Sequence, residues 1–552
     1  MPETRVPVLI AGGGTVGLAA ALFLAHHGVA SLVVEGQAGP SRHPRATGLG
    51  PRTVEFLRQA GLQEEVNAVA IDMSAGNLGK ISATTLASAD LSSLPRAAMA
   101  RPGWRADRVS PGAIRGTCPQ HRLDSVLLPA ARARGATVRY ATRLLSFEQD
   151  ADGVTAVLDD HEVVRADYLV AADGVRSNVR TALGIGTSGP GGLGTPNMNI
   201  LFGADLSPYT QGQSFVACDI TTPDSPGMLM TVDGEKEWTF HLSYDPDAGQ
   251  TAEDFTPERC RELIRAAIGV PDLDVEVLST LPWRMRGLLA DRFRAGRVFL
   301  AGDAAHVVPP LGAFGLNTGM ADAHNLAWKL AAVLAGQAGP GLLDSYEAER
   351  RPVGALALEQ SLLRLADPRL HWDHDPQTAA ARAAAGVVNA PVVHLGYRYD
   401  SGAVIDPRPE LPSREDVELD LDGTPGSRLP HLWIEQDGRR LSTLDLVRSG
   451  FTLLTGAGGD RWVQAARDVA VRLGVELAAH KIAPGAGLTD PEGRWPGIAG
   501  LGADGALLVR PDQFVAWREP ALPDHPADAL AQALTRLLAR DGRVPVLRPK
   551  QG

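Results

Sequence analysis

The sequence predicts an α/β fold in three parts, and the order of its apolar runs and glycine turns is the basis for this prediction. Residues 6–11 form an apolar run that ends in glycines, a helical pattern follows through Ala21, Leu24 and Ala25, and a second apolar run covers 31–34. A strand, a helix and a strand in this order place the two strands parallel in one sheet. A parallel sheet is therefore expected to begin the chain.

Two later segments repeat the same pattern. DYLVAA at 167–172 and RVFLAG at 297–302 are buried-type strands that end in glycine turns and lead into segments with helical spacing. The second of these helices is predicted over 317–334, with Gly336 as its stop signal.

The middle and the end of the chain have different sequence patterns. Between about 190 and 280, alternating stretches such as MLMTVDG and EWTFHLSY are joined by Gly, Pro and Asp turns, which predicts a separate sheet. Residues 400–430 are rich in Pro, Asp and Gly, as expected of a linker. Strand-like and helix-like segments from GFTLLTG to a final helical run at 526–540 then predict a compact α/β domain.

Composition narrows the functional classes. At about 150 residues per domain, 552 residues correspond to roughly three to four units. The net charge of -11, without a basic cluster, argues against a nucleic-acid partner. Cys118, Cys218 and Cys260 are widely spaced, which suggests neither a disulfide framework nor a thiolate metal site and fits a reducing cytoplasm. We find neither a signal peptide nor an apolar stretch near the roughly 20 residues that cross a membrane, so a soluble cytoplasmic protein is expected.

The first chemical signal is AGGGTVG, which follows a strand and precedes a helix. Gly12, Gly14 and Gly17 would let the backbone approach a dinucleotide pyrophosphate at the helix N-terminus, and Glu35, at the end of the next strand, would bind a ribose. GPGGLG at 189–194 matches the same pattern. It contains Pro190 and lacks a following apolar helix, so it is interpreted as a surface loop.

Two further motifs follow strands, AADGVRSNVR with Asp173 and Gly174, and AGDAAHVVPPLGAFGLN with Gly302 and Asp303. With these three motifs, in this order over residues 8–355, the sequence resembles the group A flavoprotein aromatic hydroxylases, the family of para-hydroxybenzoate hydroxylase and phenol hydroxylase. Within that family it is most similar to hydroxylases that tailor aromatic polyketides of the anthracycline, angucycline and tetracenomycin type. AERRPVGA and the later GALLVRPDQFVAWR strengthen the resemblance.

The resemblance implies a domain organisation. A Rossmann-type FAD-binding domain would be assembled from 1–75, 100–186 and 281–395, and a mixed β-sheet substrate domain from 76–99 and 187–280 would be inserted into it. Residues 425–552 would form a thioredoxin-like domain. That last segment contains no cysteine, so redox activity there is excluded, and a packing role or a contact in a homo-oligomer is expected.

The resemblance also implies residue roles around non-covalently bound FAD. Asp303 would bond the ribityl chain, and Asp173 with Gly174 would serve both the pyrophosphate and the nicotinamide cofactor. Arg45 in HPRATGLGPRT and Gln120 in CPQHRLD match positions that contact FAD in relatives. For Arg45 and Gln120 the alternative is that they are solvated loop residues.

The segment PPLGAFG at 309–315 would pass beside the isoalloxazine ring, which makes Pro310, Gly312 and Gly315 the candidate catalytic positions. Gly315, Leu316 and Asn317 would present amide groups at a helix N-terminus. Such a terminus stabilises an anion by about 0.3–1 kcal/mol, which favours reduced flavin. Ala313 stands where many relatives have glycine, and it is expected to alter packing without removing function.

The reaction implied by the resemblance is a monooxygenation. NADPH or NADH would reduce FAD, O2 would give a C4a-hydroperoxyflavin, and a phenolic ring would take up one oxygen atom, without a protein nucleophile. The sequence does not select a substrate-activating base. Two alternatives stay open, a Baeyer–Villiger oxygenation of a polyketide ketone and a flavin-binding protein that shields an intermediate without turnover. The tryptophan motif of flavin-dependent halogenases is not present.

Other signals are set aside. His371, Asp373, His374 and Asp375 resemble metal ligands but lie beside prolines without a second cluster, so a solvated loop and no metal are expected. His306 follows Asp303 closely, yet the chain has no nucleophile elbow, which favours an orienting or structural role. Three aromatic residues are interpreted as ordinary core: Trp283, Phe293 and Phe299.

Overall fold

A computed structural model describes residues 4–72, 78–94, 106–112, 114, 116–372 and 376–540. Its strands are β1 Thr4–Ala11, β2 Ser31–Val34, β3 Lys80–Ala83, β4 Thr137–Arg139, β5 Leu144–Gln149, β6 Val154–Leu158, β7 Val163–Ala171, β8 Thr187–Gly203, β9 Ala217–Ile220, β10 Gly227–Thr231, β11 Glu237–Ser243, β12 Glu276–Ala290, β13 Arg294–Ala295, β14 Val298–Leu300, β15 His306–Val307, β16 Trp433–Gln436, β17 Arg439–Ser442, β18 Phe451–Thr455, β19 Leu477–Lys481, β20 Ala506–Val509 and β21 Val515–Glu519.

Its helices are α1 Thr15–His26, α2 Pro51–Gln59, α3 Gln63–Val69, α4 Ala106–Val109, α5 Gln120–Ala133, α6 Asn178–Ala182, α7 Ser207–Thr210, α8 Pro257–Ile268, α9 Phe314–Leu334, α10 Asp344–Ala366, α11 Arg369–Trp372, α12 Pro376–Ala384, α13 Val417–Asp420, α14 Asp460–Leu473, α15 Trp495–Ala499 and α16 Pro526–Leu537. Among the helices described, none is long and apolar enough to cross a membrane.

The first sheet brings the three motif-bearing strands side by side. Its order is β13-β14-β7-β1-β2-β4, with β5 and β6 attached to β7, and β1 runs parallel to both β2 and β7. The strand ends are level, because Ala11 and Leu300 both pair with Ala171. All three glycine motifs therefore emerge at one carboxyl edge of the sheet, where nucleotide ligands bind in such folds.

Helix α1 covers this sheet, and helix α9 packs against α1. Helix α1 is apolar on all its faces, which is why it can be buried over nearly its whole length. It packs between the sheet and α9. Helix α9 ends at Leu334, with Gly336 in the left-handed region just beyond, which confirms the stop predicted there. It begins at Phe314, three residues before the predicted start.

The second sheet, of order β15-β12-β8-β11-β10-β9-β3, is mixed. One of its faces packs against α8 through a core that includes Ile200, Phe240 and Ile264. The GPGGLG segment lies in β8 and pairs with β12, so the prediction of a surface loop is wrong. Glycines fit there because β12 is irregular opposite them and because the segment is largely exposed, which leaves no apolar alternation to read.

The C-terminal part forms a thioredoxin-like α/β unit. Strands order as β19-β18-β20-β21, with β18 parallel to β19 and the other pairs antiparallel. Helices α14 and α16 supply Trp462, Val469 and Leu534 to its core.

The predicted linker at 400–430 is more than a tether. Arg428 is fully buried, and its Nη2 lies 3.2 Å from Glu55 Oε1 on α2, while Arg52 Nη1 lies 2.7 Å from Glu55 Oε2. Ile405 also contributes to the C-terminal core. The segment connects the domains as expected, but its end is packed between them, because Arg428 is buried and paired with Glu55. The domain boundaries themselves stay predictions, and β12 runs across the one placed at residue 281.

Candidate functional site

The glycine turn between β1 and α1 is closed tightly on itself. A Cβ atom at Gly12 would collide with the backbone of Ala172, and one at Gly17 would collide with the backbone of Gly12. Gly12 also has φ +104°. At Gly14, the N-cap of α1, a Cβ would meet nothing within 4 Å, so there is open space beside the N-terminus of this helix. Free amides and the positive end of a helix dipole form an anion site, which fits a pyrophosphate.

Glu35 lies beside this turn. Its Oε2 accepts a hydrogen bond from the Gly13 amide and its Oε1 accepts one from the Gln37 amide, both at 2.8 Å. Each carboxylate oxygen has a further lone pair, so the half-buried side chain retains capacity to accept from ribose hydroxyls.

Asp173 and Gly174 follow β7 directly across from Gly12. The Asp173 amide would lie 2.9 Å from a Cβ at Gly12, and Gly174 has φ +80°. Asp173 Oδ2 accepts from the Val179 amide at 3.1 Å, whereas its Oδ1 is buried and has no hydrogen-bond partner in the described part of the chain. An unpaired buried acceptor is consistent with a donor supplied by a bound group.

Gly302 and Asp303 form the third turn. Gly302 has φ +59° and fits closely against Val16, where a Cβ would approach to 2.9 Å. Asp303 is an exposed residue, but desolvation by the surrounding protein raises the pKa of its carboxyl group against the opposing effects of His306 and Arg45. A carboxylate in this position can accept from sugar hydroxyls.

Arg45 and Gln120 come together through their backbone neighbours. The Gln120 amide donates to the Ala46 carbonyl at 2.8 Å, and the Cys118 amide donates to the Thr47 carbonyl at 2.9 Å. Arg45 is exposed, and its charge acts on Asp303. Both predicted residues therefore border the cleft, while their contacts with FAD stay predictions.

Asp124 is a site residue that sequence reasoning missed. It is buried, its Oδ1 accepts from Thr15 Oγ1 at 2.5 Å, and burial raises its pKa to about 6 against smaller opposing effects of Thr15 and Arg45. It stands four residues after Gln120 in CPQHRLD, on the same face of α5. That spacing was the available signal.

The substitution D124N is expected to make stability less dependent on pH. Because the folded-state pKa of Asp124 lies above its unfolded value, the protein loses stability as pH rises from about 4 to about 6. The amide is neutral and its oxygen still accepts from Thr15. At about pH 8, D124N should therefore be more stable than wild type by up to about 3 kcal/mol, and the difference should vanish near pH 4.

Urea unfolding at both pH values measures this difference. A difference that is the same at both pH values would contradict the assignment.

The loop before α9 has an unusual backbone. Gly312 has φ +97°, and a Cβ there would collide with the ring of Phe314. Ala313 has φ +54° and its amide donates to the Pro310 carbonyl at 3.0 Å. The left-handed region costs an alanine about 1–2 kcal/mol, so Ala313 adds backbone strain to the change in packing that was expected. Pro310 is exposed and Gly315 is not crowded, so this loop presents small groups to the cleft.

The Asn317 side chain ties this loop to the segment that carries Arg45. Its Oδ1 accepts from the Gly50 amide at 2.7 Å and from Thr53 Oγ1 at 2.6 Å, and its Nδ2 donates to the carbonyls of Gly48 and Ala313. Sequence reasoning assigned only an amide role to Asn317. The structure adds a positioning role, because all four bonds fix the start of α9.

His306 takes part in a buried network below the loop. Its Nε2 lies 2.7 Å from Asp322 Oδ2, and Arg350 Nε donates to Asp322 Oδ1 at 2.8 Å. Burial acts to raise the pKa of Asp322, but His306 and Arg350 outweigh it and hold that pKa below its ordinary value. The network supports the structural interpretation of His306.

The structure confirms some of the remaining interpretations from the sequence and contradicts one of them. Phe293 and Phe299 are fully buried in the core around the first sheet, as interpreted. Trp283 is only half-buried and belongs to none of the core clusters found among the described residues, so its interpretation as core is wrong. It lies on the sheet face opposite α8, and the alternating pattern did not reveal which face of β12 is covered. Asp373, His374 and Asp375 lie outside the described residues.

The cleft thus combines an anion site at α1, acceptors at Glu35, Asp173 and Asp303, and a helix N-terminus at α9. This donor and acceptor set fits a dinucleotide with a sugar chain and a ring that becomes anionic. Leu316, the remaining predicted position, packs against the core at the first turn of α9.

Comparisons with known proteins agree with this geometry. Residues 5–361 match the family described as FAD binding domain, and residues 422–540 match the family described as aromatic-ring hydroxylase, C-terminal. The chain is 44% identical over 549 residues to a putative polyketide hydroxylase of Streptomyces halstedii, with 97% of each chain covered. It is 44% identical over 554 residues to tetracenomycin B2 monooxygenase-dioxygenase of Streptomyces olivaceus, with 98% of this chain and 100% of that one covered.

Solved structures show the same similarity. The crystal structure of a ternary complex of aklavinone-11 hydroxylase with FAD and aklavinone superposes with a TM-score of 0.83 at 41% identity. The match covers 98% of this chain and 100% of that chain.

Proposed function

The chain belongs to the family of aromatic-ring hydroxylases with an FAD-binding domain, and from this membership we propose that it transfers one oxygen atom from O2 to an aromatic polyketide at the expense of NADPH or NADH. The observation that carries the proposal is the meeting of three glycine turns and the loop before α9 at one edge of the first sheet. These are the residues that we propose to bind FAD, from its ribose to its isoalloxazine ring.

Each part of the cleft has a task in this proposal. The turn at Gly12–Gly17 holds the pyrophosphate, Glu35 the ribose and Asp303 the ribityl chain. FAD, bound non-covalently, supplies the hydride acceptance and the oxygen activation. Pro310, Gly312 and Gly315 keep the protein backbone close to the ring, and the amides from Gly315 to Asn317 stabilise negative charge at the start of α9.

The protein's further contribution is orientation and exclusion of water. We expect the second sheet to cover the cleft, since its strand β12 is joined to the loop after β2 by the contact of His43 Nδ1 with Ser279 Oγ at 2.8 Å. A dry, fixed arrangement brings the aromatic carbon and the reactive oxygen together and suppresses wasteful release of hydrogen peroxide.

We also propose a cytoplasmic protein, and a homo-oligomer in which the cysteine-free C-terminal unit contributes contacts. The three cysteines support the first part, since each is a buried free thiol. They would be stable in a reducing compartment.

The test is incubation of the FAD-loaded protein with NADPH, isotopically labelled O2 and a panel of aromatic polyketides. The expected product carries one labelled oxygen on an intact ring system. A ring-expanded ester or lactone with one label would identify a Baeyer–Villiger reaction, and unlabelled products would contradict oxygen transfer. Absence of NADPH consumption with every substrate would point to a flavin-binding protein without turnover.

A further inference from the structure

Four polar side chains converge on the face of the second sheet that is turned away from α8. His241 on β11 stands directly opposite Asn199 on β8, and both residues point away from the core formed with α8. The rings of His241 and Trp283 meet edge to face, with centroids 6.1 Å apart. His43 joins them from the loop after β2, where its Nδ1 lies 2.8 Å from Ser279 Oγ on β12.

Each of the four carries a buried polar atom that is unpartnered. These atoms are His43 Nε2, Asn199 Oδ1, His241 Nδ1 and Trp283 Nε1, and none has a hydrogen-bond partner in the part of the chain that the structure describes. Asn199 is close enough to His43 to raise its pKa, but the two do not reach hydrogen-bonding geometry. Buried polar groups are nearly always paired, so four unpaired atoms in one cluster indicate a missing binding partner.

The cluster offers uncharged donors and acceptors. Burial lowers the pKa of His43, with Arg45 and His121 adding to the effect, and it lowers the pKa of His241 to about 4, with a contribution from His43. Both imidazoles are therefore neutral near pH 7. The Trp283 indole only donates, Asn199 Oδ1 accepts, and a neutral imidazole does either.

The cluster also lies within reach of the loop before α9. The segment that begins with His43 continues to Gly48 and Gly50, which are bonded to Asn317 at the start of that helix. Five residues of extended chain span at most about 18 Å, so His43 lies within about that distance of the contacts at the start of α9. Arg45 lowers the pKa of His43 and also opposes the rise in the pKa of Asp303 and of Asp124, two acids of the cofactor cleft.

We propose that His43, Asn199, His241 and Trp283 bind the oxygen substituents of the polycyclic substrate, a ring hydroxyl beside a ring carbonyl, and so direct its opposite edge toward the loop before α9. A hydroxyl donates to Asn199 or an imidazole, and a carbonyl accepts from Trp283. A carboxylate is disfavoured at this position, because burying it among neutral groups is costly. This inference rests on the proposed function.

The test measures binding to the FAD-loaded protein, which does not require turnover. The probe is a dihydroxyanthraquinone with hydroxyls beside the quinone carbonyl, followed by its own absorbance or by quenching of flavin fluorescence. The variants are W283F, which removes the indole N–H together with one of the two fused rings and keeps an aromatic ring, H241L, and H241Q, which retains hydrogen bonding. The matched control is H480L, because His480 is a half-buried histidine of β19 in the C-terminal unit.

We expect W283F and H241L to bind the probe at least about tenfold more weakly, which corresponds to about one neutral hydrogen bond, with unchanged FAD content. H241Q should recover part of the loss, and H480L should bind as wild type does. Product formed per NADPH consumed should fall in W283F and H241L, because a misdirected ring is not oxygenated. Wild-type affinity in both W283F and H241L, with full FAD content, would overturn the proposal.

The charge selectivity has its own measurement. Wild type should bind the neutral dihydroxyanthraquinone at least about tenfold more tightly than rhein, which carries one carboxylate on the same ring system. Equal affinities would overturn the preference for uncharged oxygens. If instead wild type binds the probe through this cluster but never transfers labelled oxygen, the proposed function fails while the binding site stands.

Discussion

Alanine in place of Gly17 is expected to leave the protein unable to retain FAD. The added methyl group would collide with the Gly12 carbonyl oxygen, which belongs to rigid backbone, so α1 would have to move away from the turn. The anion site would then lose its shape, because its amides belong to the first turn of that helix. We expect FAD affinity to fall at least ~100-fold, equivalent to about 3 kcal/mol, measured by flavin absorbance of the purified protein and by titration of the apoprotein.

Two matched substitutions distinguish the possible causes of a loss of FAD affinity in G17A. At Gly14 a Cβ meets no atom within 4 Å and φ is -77°, so G14A should fold as wild type does and should weaken FAD binding only where the pyrophosphate approaches. G497A, in α15 of the C-terminal unit, introduces the same methyl group into open space far from the cleft and should change neither property. A yellow G17A protein with full FAD content would refute the placement of the pyrophosphate at this turn.

The second large effect is expected at Glu349, which lies at the centre of a buried network. Its Oε1 accepts from Arg510 at 2.6 Å and from Ser401 at 2.6 Å, and its Oε2 accepts from Lys329 at 2.7 Å. Asn325 also donates to Oε2 at 2.7 Å. These partners come from α9, from the segment after residue 400 and from the C-terminal unit, so one carboxylate joins three parts of the chain.

The substitution E349Q is expected to destabilise the protein by about 3–5 kcal/mol. It keeps the shape but removes the charge, which leaves Lys329 and Arg510 buried with Asp512 as the remaining acid beside them. Burial already lowers the pKa of Lys329 to about 8 against the effect of Glu349, so losing that carboxylate should lower it further. Urea-induced unfolding at constant pH measures the free energy.

The control for E349Q is E258Q. Glu258 Oε1 lies 3.2 Å from Arg261 Nη1 on the surface of α8, and the Glu258 side chain is largely exposed. Its replacement should therefore lower the free energy of unfolding by less than about 1 kcal/mol. Equal effects of the two substitutions would show that Glu349 does not organise the interface.

Sequence reasoning was most successful where one short segment contains the whole signal. A glycine turn after an apolar strand fixes the end of that strand, and this is why the segments around Gly12, Asp173 and Gly302 were placed correctly at strand ends. The stop at Gly336 is of the same kind. The family was identified from these motifs, and the comparisons confirm it.

Features that depend on strand register or on burial were not available from the sequence. His241, Asn199 and Trp283 share a face only because β8 pairs with both β11 and β12 in a particular register. The GPGGLG strand was mistaken for a loop because its pairing uses backbone alone. Residues 400–430 have a linker-like composition, yet Arg428 is buried there. The sequence did not reveal this burial, because its partner Glu55 is more than 370 positions away.

Helix α9 runs continuously from the cofactor cleft to the C-terminal interface. Asn317 holds its beginning beside the cleft, whereas Asn325 and Trp328, two to three turns further on, contact the C-terminal unit. Because one helix makes both contacts, thermodynamic linkage requires that any effect of FAD binding on the docking of the C-terminal unit equals the effect of that docking on FAD affinity.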